Sequence, residues 1–345
     1  MGIASRKTIT LLIFLVFLHV LVLAAGFFAP YDPIQQDRDR PYAPPMTIHL
    51  VDTAGKFHIR PFAYAQHVKE GAFDQYEEER NSPIPMKFCL TGSPYRLFGV
   101  IPGTLHLFGA ETANVNLLGT DGYGRDLFSR ILHGGQISLL AGLLAASMSL
   151  IIGTFIGTVS GYFGGWMDSI AMRLAELCLA LPWLYLLFGV RAFLPLLVSP
   201  LKAFLIVVIA IGVLGWARPA RLVRGVALSA KERDFVRAAR GFGASHFYIL
   251  RRHILPSTRS VVLTQAAILI PQYILAEVTL SFLGLGIPEP APSWGNLLSS
   301  LQQYNVLSSY WWMYLPALAM VPFFFSYLAL SSSLQEGPDA AKIDS

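Results

Sequence analysis

Long uncharged runs alternate with polar stretches along this chain, and their lengths are those of membrane-crossing helices. Residues 8–28 hold no charged side chain and follow Arg6 and Lys7, and residues 137–160 form a second uncharged run. A secretory signal is the competing reading of the first run. Its 21 residues exceed the usual apolar region of such signals, however, and no A-x-A site follows. Residues 174–217 are interrupted by Glu176, Arg191 and Lys202, with Pro195 and Pro200 between the two basic residues. They read as helices over 170–190 and 202–220 joined by a short turn. The second has a short uncharged stretch, Ala203 to Ala217, which Lys202 and Arg218 extend by snorkelling. A fifth run, 260–286, is closed by Gly284, Gly286 and Pro288, and a sixth covers 309–331 with Trp311, Trp312 and Tyr314 at an interfacial aromatic belt. The expected fold class is an all-α integral membrane protein with six transmembrane helices.

This pattern divides the chain into an N-terminus with helix one (1–28), an external segment (29–136), a five-helix core (137–334) and a tail (335–345). Gly153, Gly157, Gly161 and Gly165 recur every four residues, which places them on one helix face and predicts a close packing seam. Residues 29–118 are rich in Pro, Tyr, Phe and charge, with no internal repeat and no alternating strand pattern of useful length. A small external subdomain and an ordered loop over the helix ends both fit them. The segment ends in Leu118-Gly-Thr-Asp-Gly-Tyr-Gly-Arg-Asp126, whose spacing suits neither an EF-hand nor a Walker A loop. A structural turn leading into an interfacial helix over 126–135 is the expectation.

Composition supports a bilayer environment: 54% of residues are hydrophobic and 14% charged, against about 25% charged in soluble domains. The net charge of +5 is concentrated in residues 218–259, which carry ten Lys/Arg against Glu232 and Asp234. Such a bias is a topology signal rather than a nucleic-acid surface. It puts this stretch, Arg6, Lys7, Arg173 and both termini on the cytoplasmic side, with Arg191 and Lys202 as minor exceptions. The ten basic and twelve acidic residues of 29–136 then lie outside. Cys89 and Cys178, one in a polar and one in an apolar stretch, do not read as a disulfide or as part of a metal site.

Buried ionisable residues are the candidates for chemistry. Glu277 sits inside the fifth run and Glu176 near the start of the third, so Glu277 is a candidate for a translocation pathway or for helix packing. His19 reads as a locally hydrogen-bonded histidine. An intramembrane protease or acyltransferase needs a paired nucleophile and base or facing acids, and neither a GxSG nor an HExxH motif is present. No catalytic or metal-ligating set is therefore expected.

The basic stretch holds Arg237-Ala238-Ala239, then Gly243, then His253-Ile254-Leu255-Pro256. Their spacing resembles the cytoplasmic "EAA" loop of ABC-transporter permeases, and the chain is similar to the second permease of the dipeptide/oligopeptide/nickel importer family. Supporting segments are Leu118–Asp126, Gly161-Tyr-Phe-Gly-Gly165, Leu280-Ser-Phe-Leu-Gly-Leu-Gly286 and Pro292-Ser-Trp-Gly295, in order across nearly 60% of the chain. Arg237 stands where the motif has Glu, and His253 where it has Ile. The outer segment resembles the enlarged loop of permeases linked to microcin-type peptide uptake, and Ser331–Ser345 lacks the usual family ending.

The resemblance implies a type I ABC-importer permease fold in the bacterial inner membrane. It also implies a second homologous permease, two cytoplasmic ATP-binding subunits that use ATP and Mg, and an external substrate-binding protein. The chain itself would bind no cofactor and catalyse no reaction. Phe235, Arg237, Ala238, Ala239, Gly243, Leu255 and Pro256 become the expected ATPase-coupling residues, with Ala239 and Gly243 as i,i+4 neighbours on a helix over 234–243. Residues 29–118 are the expected contact for the binding protein. A nickel or other small-solute permease on the same scaffold, an exporter, and a membrane-anchored receptor or scaffold acting through 29–136 are the alternatives.

Overall fold

A computed structural model describes residues 6–69, 75–192 and 198–343. Five of the described helices are long and apolar enough to cross a membrane: Arg6–Leu23, Leu127–Phe163, Pro200–Lys231, Arg259–Phe282 and Trp311–Gln335. The third expected crossing differs. Leu181, forced into extended backbone by the following Pro182, separates a Gly165–Ala180 helix from a Trp183–Ala192 helix. Neither half alone reaches the length of a span, and Pro195 lies outside the described residues. The expected interfacial helix at 126–135 is also revised: it is the start of one continuous 37-residue helix, Leu127–Phe163. The Pro200–Lys231 span is two helices, Pro200–Leu214 and Ala217–Lys231, joined at Gly215-Trp216.

The chain separates into two compact units. The first comprises Met1–Leu15, Leu140–Glu277 and Pro322–Ser345, and the second Val16–Leu139 and Val278–Val321. Within the first, Thr8 and Ser333 hydroxyls meet at 2.6 Å and fasten the N-terminal helix to the last one. Gly153, Gly157 and Gly161 face the Ala217–Lys231 helix and the turn before it. A Cβ on Gly153 would lie 2.7 Å from Pro219, and one on Gly161 2.8 Å from Ala227, so only glycine admits this approach. The seam is thus three glycines long, because Gly165 has open space beside it.

The second unit contains the strands that the sequence did not reveal. β1 (His49–Val51), β2 (Phe57–Val68) and β3 (Tyr76–Pro85) form an antiparallel sheet, and β4 (Lys87–Leu97) pairs with β5 (Ile101–Gly109) as a separate hairpin. The register slips between Tyr64 and Ala65 in one pair and between Thr91 and Tyr95 in the other. Phe62, Ala63 and Tyr64 are buried consecutively rather than alternately. Bulges of this kind destroy the two-residue period by which strands are recognised. Five of the six expected crossings are thus span-length helices among the described residues, the third being divided at Leu181, while the outer segment is a β-rich subdomain. Its core gathers Met46, Ala63, Ile84, Met86, Phe108 and Val115.

The Leu118–Asp126 segment is a structural turn, as expected. Asp121 Oδ1 accepts from the backbone N–H groups of Tyr123 (2.9 Å) and Arg125 (3.1 Å). Gly124 has φ of 72°, and any Cβ there would collide with the Asp37 carbonyl. Arg125 then bonds Asp121 Oδ2 at 2.7 Å and Glu289 at 2.6 Å, and Arg130 bonds Glu289 at 2.9 Å while approaching Asp121 at 3.3 Å. Two cations and two anions close a ring in which Arg130 is fully buried. That balance offsets the desolvation of the arginines.

Candidate functional site

The basic stretch 218–259 is helical nearly throughout rather than a loop. Ala217–Lys231 is followed by Asp234–Gly241, then His246–Ile249, a π-helical turn over Leu250–Ile254, and Leu255–Ser257, which leads toward Arg259–Phe282. Local chemistry explains each boundary. Asp234 and Arg240 sit at the ends of the Asp234–Gly241 helix that favour their charges. Ser245 Oγ accepts from Tyr248 N–H and starts the next helix, and Pro256 occupies the first turn of Leu255–Ser257, where its missing N–H is tolerated.

Gly243 ends the Asp234–Gly241 helix. Its φ is 78°, its N–H bonds Arg240 O at 3.0 Å, and Ala244 N–H bonds Ala239 O at 3.0 Å. This is a Schellman cap, which calls for glycine in the left-handed position. The expectation of Ala239 and Gly243 stacked on one helix face is thereby corrected: Gly243 lies past the helix end and acts through its backbone.

Inside this module, Tyr162, Ala227, Ala230, Val236, Ile249 and Ile254 form a small buried core. The Tyr162 hydroxyl meets His246 Nδ1 at 2.8 Å, and the Arg240 guanidinium lies 5.7 Å from the Tyr162 ring centroid. Arg224 makes a bidentate pair with Asp168, at 2.5 Å and 2.6 Å, and Ser160 donates to the same carboxylate at 2.6 Å. Fork-shaped pairing fixes orientation as well as distance. The Gly165–Ala180 and Ala217–Lys231 helices are thus stapled together, on top of the glycine seam.

The opposite face is bare. Phe235 is 46% exposed, Phe242 92%, Phe247 72% and Tyr248 52%. Arg237 and Ala238 are exposed, Ala239 half-buried, Leu255 exposed and Pro256 half-buried. His253, at the motif's Ile position, lies between aromatic rings, 5.5 Å from Phe235 and 5.8 Å from Tyr248. Arg237 pairs with Glu232 of its own chain at 2.8 Å, and that hydrogen bond holds the Glu232 carboxyl below its ordinary range. Of the seven expected coupling residues, Phe235, Arg237, Ala238 and Ala239 lie on the Asp234–Gly241 helix, Leu255 and Pro256 on the later Leu255–Ser257 turn, and Gly243 shapes the end of the first. Glu277 belongs elsewhere. It is fully buried in the Arg259–Phe282 helix, some 18 residues beyond Arg259, or roughly 27 Å along the axis.

Asp168, Arg224, Tyr162 and Phe242 were not singled out in the sequence. Opposite charges within mostly apolar surroundings were the available signal for the Asp168–Arg224 pair. Phe242 gave none, because an aromatic inside a motif reads as core until its exposure is known. Among the described residues no group of three His, Cys, Asp or Glu side chains is placed to hold a metal ion.

A multi-span helical protein with an exposed basic module on one end of its helices has the form of a transport permease. Residues 149–336 match the model of the family described as binding-protein-dependent transport system inner membrane component, and the chain belongs to that family. It is a multi-pass inner-membrane permease. The dipeptide transport system permease protein DppC of Bacillus subtilis is 39% identical over 222 residues, 64% of this chain and 67% of that protein. A putative peptide permease protein of Brucella suis is 40% identical over 57% of this chain and 63% of its own length. The oligopeptide transport system permease protein OppC of Haemophilus influenzae is 38% identical over 65% and 70%. These matches span roughly two thirds of the relatives' own lengths. Among solved structures, the crystal structure of an amino acid ABC transporter with histidines has a TM-score of 0.43 over 60% of this chain and 91% of its own, at 20% identity.

Proposed function

We propose that this chain is one permease subunit of an ATP-driven importer of peptides or peptide-like compounds, paired with a second, homologous permease. Two cytoplasmic ATPase subunits bind ATP and Mg, an external binding protein delivers substrate, and this chain binds no cofactor and catalyses nothing itself. Both termini and the basic module face the cytoplasm, in line with the clustering of Lys/Arg there.

The observation that carries the reading is the module with one stapled face and one bare one. Val236 is buried and the Arg224–Asp168 pair ties the module to the neighbouring helix, while Phe235, Arg237, Ala238 and Phe242 point to solvent. Exposed aromatics rimmed by charge are what a protein partner covers. ATPase closure would press on the Asp234–Gly241 helix, and the staple would pass that displacement to the spans, favouring one of two conformations. The peptide substrate rests on the relatives' names, and the β-rich outer subdomain, with Phe57 64% and Ile59 90% exposed, is the proposed contact for the binding protein.

The test is reconstitution of the full transporter in liposomes with its ATPases and binding protein. Peptide uptake that requires ATP is expected, and Ala238→Trp should abolish both uptake and ATPase co-purification while leaving membrane insertion intact. Normal uptake and co-purification in that variant would refute the coupling role.

A further inference from the structure

Two cavities of about 550 and 620 Å³ lie side by side in the Leu140–Glu277 part of the chain, and Leu179 and Arg218 line both. One wall is a stripe of the Arg259–Phe282 helix. Gln265, Ile268, Leu269, Gln272 and Leu275 recur there at helical spacing. From Gln265 to Leu275 the stripe rises roughly 15 Å, the length of about four or five residues of extended chain. Arg221, one turn beyond Arg218 on the same helix face, lines the second cavity. The remaining lining is largely apolar.

Three features of this groove define its ligand. Arg218 and Arg221 have no carboxylate partner among the described residues, unlike Arg224 one turn further on. Gln265 is 8% exposed, and its Oε1 is buried without a hydrogen-bond partner. Such an acceptor calls for a hydrogen-bond donor, which the backbone N–H of a peptide supplies. The Tyr273 hydroxyl, which bonds the Ser149 hydroxyl at 3.1 Å, adds a polar group at the far end of the stripe. A ligand that fits carries an anionic end for the guanidinium forks, a hydrogen-bond donor for Gln265 and a body tolerant of apolar walls.

We propose that this groove holds a short peptide on its way through the membrane, with Arg218 and Arg221 receiving its C-terminal carboxylate and Gln265 accepting from its backbone. The anionic headgroup of a phospholipid would satisfy the arginines, but its acyl chains bring no hydrogen-bond donor to Gln265. The assignment rests on the peptide reading above and adds to it the end of the substrate that is recognised and the side chains that recognise it.

The experiment is a calorimetric titration of the purified, assembled transporter, without binding protein, by two tripeptides that differ only in a free or amidated C-terminus. The free acid should bind about tenfold more tightly than the amide, as expected for a charge-assisted contact. Arg218→Gln with Arg221→Gln should bring the acid down to the amide's affinity, while Arg218→Lys should recover part of the difference. Equal binding of acid and amide by the native transporter, no binding of either, or a preference that survives the double substitution would each overturn the assignment. So would an affinity gap that appears only when anionic lipid is removed, which would mark the groove as a lipid site. ATP-driven uptake with the binding protein present separates the two levels. Uptake without acid preference in the titration removes only the groove, and absence of uptake removes the peptide reading as well.

Discussion

At Arg224 two guanidinium hydrogen bonds and a charge converge on Asp168, and Ser160 completes the carboxylate's partners. Removing one partner leaves the other charge in partly buried surroundings, so Arg224→Ala should destabilise the helical unit by about 2 kcal/mol. A lower melting temperature in detergent, partly restored when Asp168→Ala is added, is the expected result. At Gly243 the cost is conformational: a left-handed non-glycine residue costs roughly 1–2 kcal/mol. Gly243→Asn should therefore retain more ATPase co-purification than Gly243→Val, although nothing crowds the position. In the outer subdomain, burial raises the Tyr31 phenol to about 12, with the Val115 N–H bond to its oxygen working the other way. The unfolded chain loses this proton near pH 10. The stability linked to Tyr31 is thus complete below pH 10 and declines toward pH 12, and Tyr31→Phe should flatten that part of the thermal-stability profile.

At the scale of elements, the glycine seam and the strands contrast in how far they could be read beforehand. The four-residue spacing of Gly153, Gly157 and Gly161 announced a close-packed face, and the Ala217–Lys231 helix occupies it. Gly157→Leu should disrupt that contact and cost more than about 2 kcal/mol through overpacking, measured as loss of folded protein on detergent extraction. The spans themselves were legible because runs of apolar residues need no partner to be recognised. β2 and β4 were not, since register slips in both and consecutive burial in β2 leave no period to detect. Nor was the ring of Asp121, Arg125, Arg130 and Glu289 visible, because Glu289 comes from 164 residues beyond Arg125. The coupling motif marked a stretch of chain but not the conformation of its residues. Gly243 read as a small contact surface and proved to be a helix terminator.

For the molecule as a whole, the outer subdomain and the basic module are separable by experiment. Met46 N–H bonds Asn116 O at 3.1 Å, so the chain enters and leaves the strand-bearing region at neighbouring points. Replacing residues 48–113 by a short linker should leave insertion and ATPase co-purification intact while reducing stimulation by the loaded binding protein. Unchanged stimulation would assign the strands another purpose. Loss of ATPase co-purification instead would show that the two regions are not independent.

The seam between Gly153, Gly157, Gly161 and the Ala217–Lys231 helix brings main chain close to main chain. In mechanical terms no rotamer stands between the two rods to bend or swing. Close-packed protein interiors are stiff, with low compressibility. A push delivered at one rod therefore reaches the other with little lost to side-chain motion, and the contact works as a pushrod rather than a spring.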